Sequence, residues 1–365
     1  FGGKPLAVCL ELNKGPLVYA LQKYDFFVLF PVNPSTLAKY REAFTPSHAK
    51  DDPTDAELQL ELLVRHRDKL QPLCAASAPM RALQQLVASR RRLVGDKVRI
   101  TNRLTSTLKN YYPQALRWFE DKDTQIFCDF LTRWSTLRQA QRARKSSLYR
   151  FFSGHQVRYP HVIEQRVRTI KTATALTTDV GVIEPNALLV QALVSQLRVI
   201  LAAIHRFDSD IKTRCQSLAD YPLFESSPGA GPVFTSRLIA AFGKQRERYT
   251  GAAELQQYAG IAPVTERSGN KSWVHWRTRC PAFLRQTFVE WAGQTILHSF
   301  WAAGYYRRQR DKGCSHQAAT RPLAFKWIRI LYRCWQDRTP YDESVYLKAL
   351  KQRGSPLLQY MANST

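Results

Sequence analysis

The chain has 365 residues, of which 44% are hydrophobic, so it is long enough for two or three domains and is not a disordered basic tail. Its formal net charge is +25, from 54 Lys and Arg residues against 29 Asp and Glu residues. So much positive charge repels itself unless a polyanion is nearby, and the usual polyanions are nucleic acid and anionic membrane. Because we find no run of about 18 apolar residues, we predict no membrane span and favour nucleic acid.

The seven cysteines are scattered along the chain, and none of them forms a C-x-x-C pair. This spacing argues against both a zinc ribbon and a disulfide scaffold. We therefore expect a reducing, cytoplasmic environment.

The first elements predict part of an α/β sheet. Two apolar runs, in residues 5–12 and 23–33, are separated by a segment of helical character. Strand, helix, strand is the simplest interpretation of this order. A further helix is expected over residues 54–70.

Three aspartates lie within five positions, at Asp51, Asp52 and Asp55. One interpretation is a helix start, with Asp52 as the N-cap and Pro53 at the first helical position. The other is a metal site: Glu11 follows the first strand, and carboxylates three residues apart on a helix face the same way. Hard oxygen ligands suit Mg²⁺, and two such ions about 3.5–4 Å apart promote phosphoryl transfer. Both interpretations can hold together.

From about Pro79 the pattern predicts one long helix of coiled-coil character. Apolar residues recur at three- and four-residue steps at Leu83, Leu86, Val87, Leu93, Val94, Val98, Leu104 and Leu108. Residues 81–118 hold nine Lys or Arg against one acid, a net charge of +8. A charged helix face is often merely solvated, but this excess favours nucleic-acid contact. The candidate residues are Arg90, Arg91, Arg92, Lys97, Arg99 and Arg103.

The segment "FESSPGAGPVFTSRLIAAFG" (224–243) sets Pro-Gly-Ala-Gly between two helical patterns. It is similar to the hairpin of helix-hairpin-helix modules, in which glycines such as Gly229 and Gly231 let the backbone approach a phosphate. An ordinary loop is an equal alternative. A glycine-containing turn follows in residues 265–279, and then two long helices are expected to end near Tyr341.

Two blocks of motifs resemble a transposase family of insertion sequences. The first comprises "CLELNKGPL", "VNPSTLAKYREA" and "AKDDPTDAEL"; the second comprises "SPGAGPVFTSRLIAAFG", "AELQQYAGIAPVTERSG" and "AFKWIRILYRCWQDRTPYD". The resemblance implies a RuvC-like (RNase H-fold) α/β domain, a long helical coiled-coil region and a mainly helical transposase domain. We assign these to residues 1–76, 77–222 and 223–353, with a tail at 354–365.

The family's D-E-D-D metal site implies roles for three carboxylates. Its glutamate matches Glu11, and its Lys-x-Asp-x-x-Asp-Ala pattern matches Lys50, Asp52, Asp55 and Ala56. The resemblance implies that these carboxylates bind Mg²⁺, with two ions in the intact site. The family's first aspartate would precede Phe1, so we expect this domain to lack its first strands and residues upstream to exist.

The second block implies a nucleophilic serine at Ser268, which would attack DNA and form a covalent phosphoserine link. The resemblance also implies a structured guide RNA that pairs with donor and target DNA, a homo-oligomer (dimer or tetramer) with a shared active site, and a nucleoid-associated bacterial protein. Basic side chains near the serine suit a phosphate; they are Arg267, Lys271, Arg277 and Arg279. Other serines remain rivals: Ser226, Ser227, Ser236 and Ser272.

Two alternatives stay open. A RuvC-like Holliday-junction nuclease would cut DNA with water and form no protein link. A non-catalytic remnant of a transposase would keep only the basic, nucleic-acid-binding helices.

Overall fold

The computed structural model describes residues 2–44, 51–74, 76–157 and 159–362, so Lys50 of the predicted motif lies outside the described residues. The chain divides into two compact units, Phe1–Ser77 and Ala78–Thr365. The predicted basic helical region and the predicted C-terminal region both fall in the second unit. Each unit is described by itself.

The first unit contains the predicted strand, helix and strand. Its elements are β1 (Leu6–Leu10), α1 (Pro16–Leu21), β2 (Phe27–Pro31), α2 (Pro34–Phe44), α3 (Asp52–His66) and a 3-10 turn (Arg67–Lys69). The two strands are parallel, with Leu6 opposite Phe27 and Leu10 opposite Pro31. A parallel pair needs a crossover, which α1 supplies. The strand-helix-strand prediction is confirmed, and the RNase H fold stays a prediction.

The small sheet buries a different cluster on each face, because successive side chains of a strand point in opposite directions. Leu10, Leu29 and Val18 of α1 form one cluster. The other cluster contains Leu37 of α2 and Leu58 and Leu62 of α3, and Cys9 packs against it. Helices α2 and α3 therefore cover the Cys9 face of β1.

The second unit begins with a helical core. Its helices are α4 (Ala78–Tyr111), α5 (Gln114–Trp118), α6 (Gln125–Arg133), α7 (Leu137–Arg142), α8 (Lys145–Gly154), α9 (Pro160–Thr172) and α10 (Val180–Gln216). Arg90 of α4 pairs with Asp208 of α10, whereas residues 100–111 of α4 and 187–197 of α10 enter one core. The two long helices therefore run antiparallel.

Helix α4 confirms the predicted long helix and corrects one position of its apolar stripe. Leu104 and Leu108 are fully buried, but Val98 is 49% exposed. Ile100 is buried instead, because positions 100, 104 and 108 keep the four-residue spacing that faces α10. The apolar side of α4 is thus packed largely on α10 of the same chain. The coiled coil itself stays a prediction.

Helix α10 is long and apolar enough to cross a membrane by length and composition alone, which our reading of apolar runs did not predict. A core helix passes the same test, so this is weak evidence for a membrane span. Val190, Leu193 and Leu197 of α10 are buried in the core that it shares with α4 and α6.

The rest of the second unit is helical apart from one hairpin. Its elements are α11 (Tyr221–Glu225), α12 (Gly231–Phe242), a 3-10 turn (Arg246–Arg248), α13 (Ala252–Tyr258), β3 (Val264–Ser268), β4 (Lys271–His275), α14 (Ala282–Thr295), α15 (Phe300–Asp311), α16 (His316–Asp337), α17 (Glu343–Gln352) and α18 (Leu357–Ala362). Three helices, α14 to α16, fill the stretch where two were predicted.

The segment predicted as a tail contains a packed helix. Leu357 of α18 is buried, and α18 lies against α15 at Gly304. A Cβ on Gly304 would lie 2.9 Å from Cγ of Met361, so the missing side chain allows this close approach. Residues 357–362 are too few to give a clear periodic pattern, so the sequence did not predict this helix.

Four buried tryptophans anchor this part of the chain, and each indole N–H has an acceptor. Trp327 donates to Thr295 Oγ1 at 2.8 Å, and Trp301 donates to the Tyr341 hydroxyl at 2.8 Å. The others are Trp291, which donates to the Pro228 carbonyl, and Trp335, which donates to the Gly243 carbonyl. Satisfied indoles keep the benefit of aromatic burial without an unpaired polar group.

Candidate functional site

The aspartate cluster starts α3 one residue earlier than predicted. Asp51 has an extended backbone, and its carboxylate accepts a hydrogen bond from the Thr54 N–H at 2.7 Å. The Asp55 N–H donates to the Asp51 carbonyl at 3.1 Å, which makes Asp51 the N-cap. The prediction of Asp52 as the cap was therefore wrong; Asp52 is the exposed first helical residue. The hydrogen bond from Thr54 lowers the pKa of Asp51.

Asp55, a predicted metal ligand, is paired with an arginine. Asp55 is only 5% exposed. Its Oδ1 accepts a hydrogen bond from Nε of Arg41 at 2.9 Å and another from Nη2 of Arg41. Arg41 lies on α2, so this buried ion pair joins α2 to α3. A charge this buried needs such a partner.

Across the described ranges, no group of three His, Cys, Asp or Glu side chains could hold a metal ion. Glu11, Asp52 and Asp55 therefore do not form a three-carboxylate site in this arrangement. Glu11 does lie near the face that α2 and α3 cover: burial raises the pKa of the Cys9 thiol, and the charge of Glu11 adds to that rise. The arrangement does not fit a Mg²⁺ ion held by all three carboxylates.

Ser268 lies at the tip of the β3–β4 hairpin. Ser268 pairs with Lys271 and Arg267 with Ser272, so the connection is the two residues Gly269 and Asn270. Gly269 has a φ of +55°, as type II′ hairpin turns require at this position. The hydroxyl is therefore carried on a short, exposed turn.

The hairpin register puts Ser268 and Lys271 on one face. Residues directly opposite each other share a face of a two-stranded sheet, and the face alternates along each strand. Glu266 and Trp273 lie on the Ser268 face, whereas Ser272 lies on the other. Each residue of β4 is exposed, so this face is open to a large ligand.

Three of the four rival serines are packed inside the second unit. Ser226 accepts from the Tyr341 N–H at 3.0 Å and donates to the Leu223 carbonyl. Ser227 and Ser236 are buried. Only Ser272 is as exposed as Ser268, and it lies on the opposite hairpin face.

Two of the predicted phosphate-binding arginines, Arg277 and Arg279, lie at the base of the hairpin, whereas Arg267 lies next to its tip. Arg279 is exposed, while Arg277 is half-buried and its Nε is buried without a hydrogen-bond partner in the described structure. Sequence reasoning missed two neighbours, Arg285 of α14 and Arg321 of α16. Arg321 stacks on Trp276, with its Cζ 4.1 Å from the ring centroid. Only long-range packing brings these residues together.

The Pro-Gly-Ala-Gly segment joins α11 to α12, a connection that the helix-hairpin-helix and the ordinary-loop interpretations share. Gly229 has a φ of +64°, and a Cβ there would lie 2.8 Å from His298 Cδ2 and 3.2 Å from the Gln294 carbonyl oxygen. The end of α14 therefore explains this glycine without a phosphate. Gly231 has a φ of +50° and open space around it.

About half of the predicted basic residues on α4 are paired within the chain. Arg90 pairs with Asp208, Lys97 with Asp123 and Arg99 with Asp96. Burial lowers the pKa of Arg91, with Arg237 contributing, and Arg91 lies over the Phe283 ring.

Arg92 and Arg103 differ from the other predicted nucleic-acid-binding residues of α4. Both are exposed, and among the described residues neither has an ion pair. The basic face of α4 thus offers fewer free charges than the net charge of +8 over residues 81–118 indicates.

Known proteins resemble this chain along most of its length. A family model described as a transposase matches residues 4–113, and another, described as the transposase IS116/IS110/IS902 family, matches residues 221–307. The candidate mini-circle transposase for IS117 of Streptomyces coelicolor is 30% identical over 364 residues, covering 98% of this chain and 86% of that protein.

Two further relatives come from insertion elements. An uncharacterized 44.8 kDa protein of IS116 from Streptomyces clavuligerus is 26% identical, covering 79% of this chain and 72% of its own. An uncharacterized 43.6 kDa protein of IS110 from Streptomyces coelicolor is 25% identical, covering 81% and 73%.

A strongly basic, mainly helical chain with an exposed serine hairpin among arginines is typical of proteins that process nucleic acid. The matching family models and relatives show which class of nucleic-acid-processing protein this is. The chain belongs to the IS116/IS110/IS902 family of insertion-element transposases, which confirms the resemblance seen in its motifs.

Proposed function

We propose that this transposase cuts and rejoins DNA strands through a covalent intermediate on Ser268. The single observation that carries the proposal is the hairpin register: Ser268 is exposed at a two-residue turn and pairs with a lysine. Family membership supports DNA as the substrate.

The proposed reaction is a transesterification. Ser268 Oγ attacks a DNA phosphorus and loses its proton; one O–P bond forms as the bond from that phosphorus to a deoxyribose oxygen breaks. The departing oxygen takes up a proton and leaves as a hydroxyl. In rejoining, a deoxyribose hydroxyl attacks the phosphoserine and returns the proton to Ser268. Each step exchanges one O–P bond for another, so the reaction needs no energy-rich cofactor.

Local charge is suited to this step. A serine hydroxyl is a weak nucleophile near neutral pH and needs a base or stabilisation of the charge that develops on the phosphate. Lys271 lies beside Ser268 on the same face of the hairpin, and Arg267 is the preceding residue. Lys271 would hold the phosphate and stabilise the added negative charge, whereas Arg267 shares the opposite face of the hairpin with Ser272.

The proposal that the protein binds Mg²⁺ rests on the family's metal-site pattern alone. Glu11, Asp52 and Asp55 remain the proposed ligands, although their described arrangement does not gather them and Asp55 is held by Arg41. Isothermal titration with MgCl₂ tests the assignment: Glu11→Gln should weaken Mg²⁺ binding, and Glu57→Gln, an exposed change on α3, should not.

The serine proposal is tested by trapping the adduct. DNA from the end of the element, nicked close to the cut so that the released strand diffuses away, is incubated with the protein and resolved on a denaturing gel. We expect a covalent protein–DNA band that Ser268→Ala abolishes and Ser272→Ala retains. Equal adducts with both variants would refute the assignment.

The same gel separates the alternatives. Cleavage that survives Ser268→Ala without any adduct would favour the junction nuclease that uses water. Binding without cleavage in the wild-type protein would favour the non-catalytic remnant.

Guidance by RNA and homo-oligomer formation complete the proposal, and both rest on the family resemblance. Purification of the protein from its own locus, followed by sequencing of the bound nucleic acid, tests the guide. One structured RNA encoded beside the gene is the expected result. A random mixture of cellular RNA and DNA would contradict guidance.

A further inference from the structure

The base of the β3–β4 hairpin carries a cluster that the proposed chemistry does not use. It consists of Trp276, Arg277, Arg285 and Arg321, which we name the arginine–tryptophan platform. Trp276 directly follows β4 and is 58% exposed. The guanidinium of Arg321 covers one side of its ring, with Cζ 4.1 Å from the centroid. The opposite side of the ring is therefore available to a ligand.

The charge of the platform is unbalanced. Within the described ranges, none of its three arginines forms an ion pair with a carboxylate. Burial lowers the pKa of Arg321, and the nearby charge of Arg285 lowers it further. Arg285 Nη1 donates to the Thr278 carbonyl at 3.5 Å, and Arg277 Nε is buried with no hydrogen-bond partner among the residues that the structure describes. Neighbouring guanidinium groups repel each other, and a bound anion relieves that repulsion.

The platform is held rigidly. Arg321 donates to the Gly260 carbonyl, and a Cβ on Gly260 would lie 2.1 Å from Cys280 Sγ. Gly260 also has a φ of +69°, which favours glycine. The segment before the hairpin is thus packed directly on the segment after it, and a rigid aromatic surface costs little entropy when it binds.

An exposed ring backed by arginines matches one ligand chemistry. Every nucleobase can stack on an aromatic face, and the attached phosphate pairs with arginine. A base within a duplex is already stacked on its neighbours, so only an unpaired nucleotide can use the platform. We propose that the platform binds an unpaired nucleotide in the DNA strand that Ser268 attacks.

The length of β4 sets the distance between Ser268 and the arginine–tryptophan platform. Five residue steps separate Lys271, opposite Ser268, from Trp276, and at about 3.4 Å a step they span roughly 17 Å. At about 3.4 Å per nucleotide along one strand, this span corresponds to roughly five nucleotides. The unpaired nucleotide thus lies about five positions from the attacked phosphate. This inference rests on the proposed function, because it takes DNA as the ligand.

Fluorescence of 2-aminopurine tests the platform. The probe is placed as a single unpaired nucleotide in duplex DNA, with a fully paired duplex for comparison. We expect stacking to quench the probe and the unpaired duplex to bind about 5- to 100-fold tighter than the paired one. Trp276→Leu should abolish this preference and retain paired-duplex binding. Trp273→Leu should keep the preference, because Trp273 is an exposed residue of β4 on which no arginine of the described residues stacks.

Equal affinity for both duplexes, or equal loss in the two tryptophan variants, would overturn the inference. A response only when the probe is carried in RNA would overturn its assignment to DNA. Arg285→Gln gives an independent check: it should weaken binding of the unpaired duplex and lower the salt slope by about 1.

Failure of the platform and failure of the serine proposal are distinguishable. An adduct on Ser268 without a preference for unpaired nucleotides removes the platform alone. A preference that requires Trp276, without any adduct, removes the nucleophile alone.

Discussion

Asp55, a proposed metal ligand, forms a buried ion pair with Arg41 that joins α2 to α3. Both side chains are largely buried, so each charge has lost most of its hydration. The attraction between the two charges offsets this desolvation cost. A Mg²⁺ ion at Asp55 would have to compete with this guanidinium. The family motif identifies the aspartate but not its competitor, because Arg41 lies on another helix.

Asp55→Ala should destabilise the first unit by about 2–4 kcal/mol, because Arg41 would remain buried without its carboxylate. The measurement is hydrogen exchange of the α3 amides with mass spectrometry. Asp52→Ala is the matched control, since Asp52 is exposed on the same helix and forms no ion pair in the described structure. Equal effects of the two changes would contradict this account.

At the scale of elements, the start of α3 should depend on pH. The pKa of Asp51 is lowered in the folded chain, so its capping contribution is complete above the ordinary aspartate pKa of about 3.9 and is lost as the pH falls through the lower folded value. An NMR titration of the Thr54 amide should give a midpoint below 3.9. Asp51→Asn keeps a cap acceptor and should remove this titration. A midpoint at or above 3.9 would contradict the cap.

Helix α10 offers an outward apolar row that supports the predicted homo-oligomer. Leu188 and Val199 are each 70% exposed, and Leu189 is also exposed. If the oligomer buries this row, Leu188→Glu should shift the sedimentation coefficient to that of a monomer, because a buried unpaired charge is costly. Leu297→Glu, at another exposed leucine, should leave assembly unchanged. Dissociation by both variants would argue against a specific role of α10.

At the scale of the whole molecule, the net charge of +25 predicts strongly salt-dependent binding. The structure distinguishes free charges from paired ones. Arg92→Gln together with Arg103→Gln should reduce the slope of log K against log salt by about 2, because each free cation that contacts a phosphate contributes about 0.9. Arg90→Gln should change the slope less, since Arg90 already pairs with Asp208. Fluorescence anisotropy over a salt series measures both.

Local pattern predicted much of the fold, because it depends on residues near each other in the chain. The apolar run at β1 and the three- and four-residue spacing of α4 each follow from the geometry of one element. Errors occurred where an element meets a distant one. Val98 fits the apolar pattern but lies off the side that α10 covers, and the segment with α18 was expected to be a tail.

Sequence by itself determined the basic character of the chain, the order of its first elements and, through two blocks of motifs, its family. Only the tertiary structure decided which charges are free, that Arg41 holds Asp55, and that Arg321 stacks on Trp276. The physical reason is that ion pairing and stacking depend on distances in space. Periodicity indicates which face of an element is apolar. Which other element packs on that face depends on how the whole chain folds.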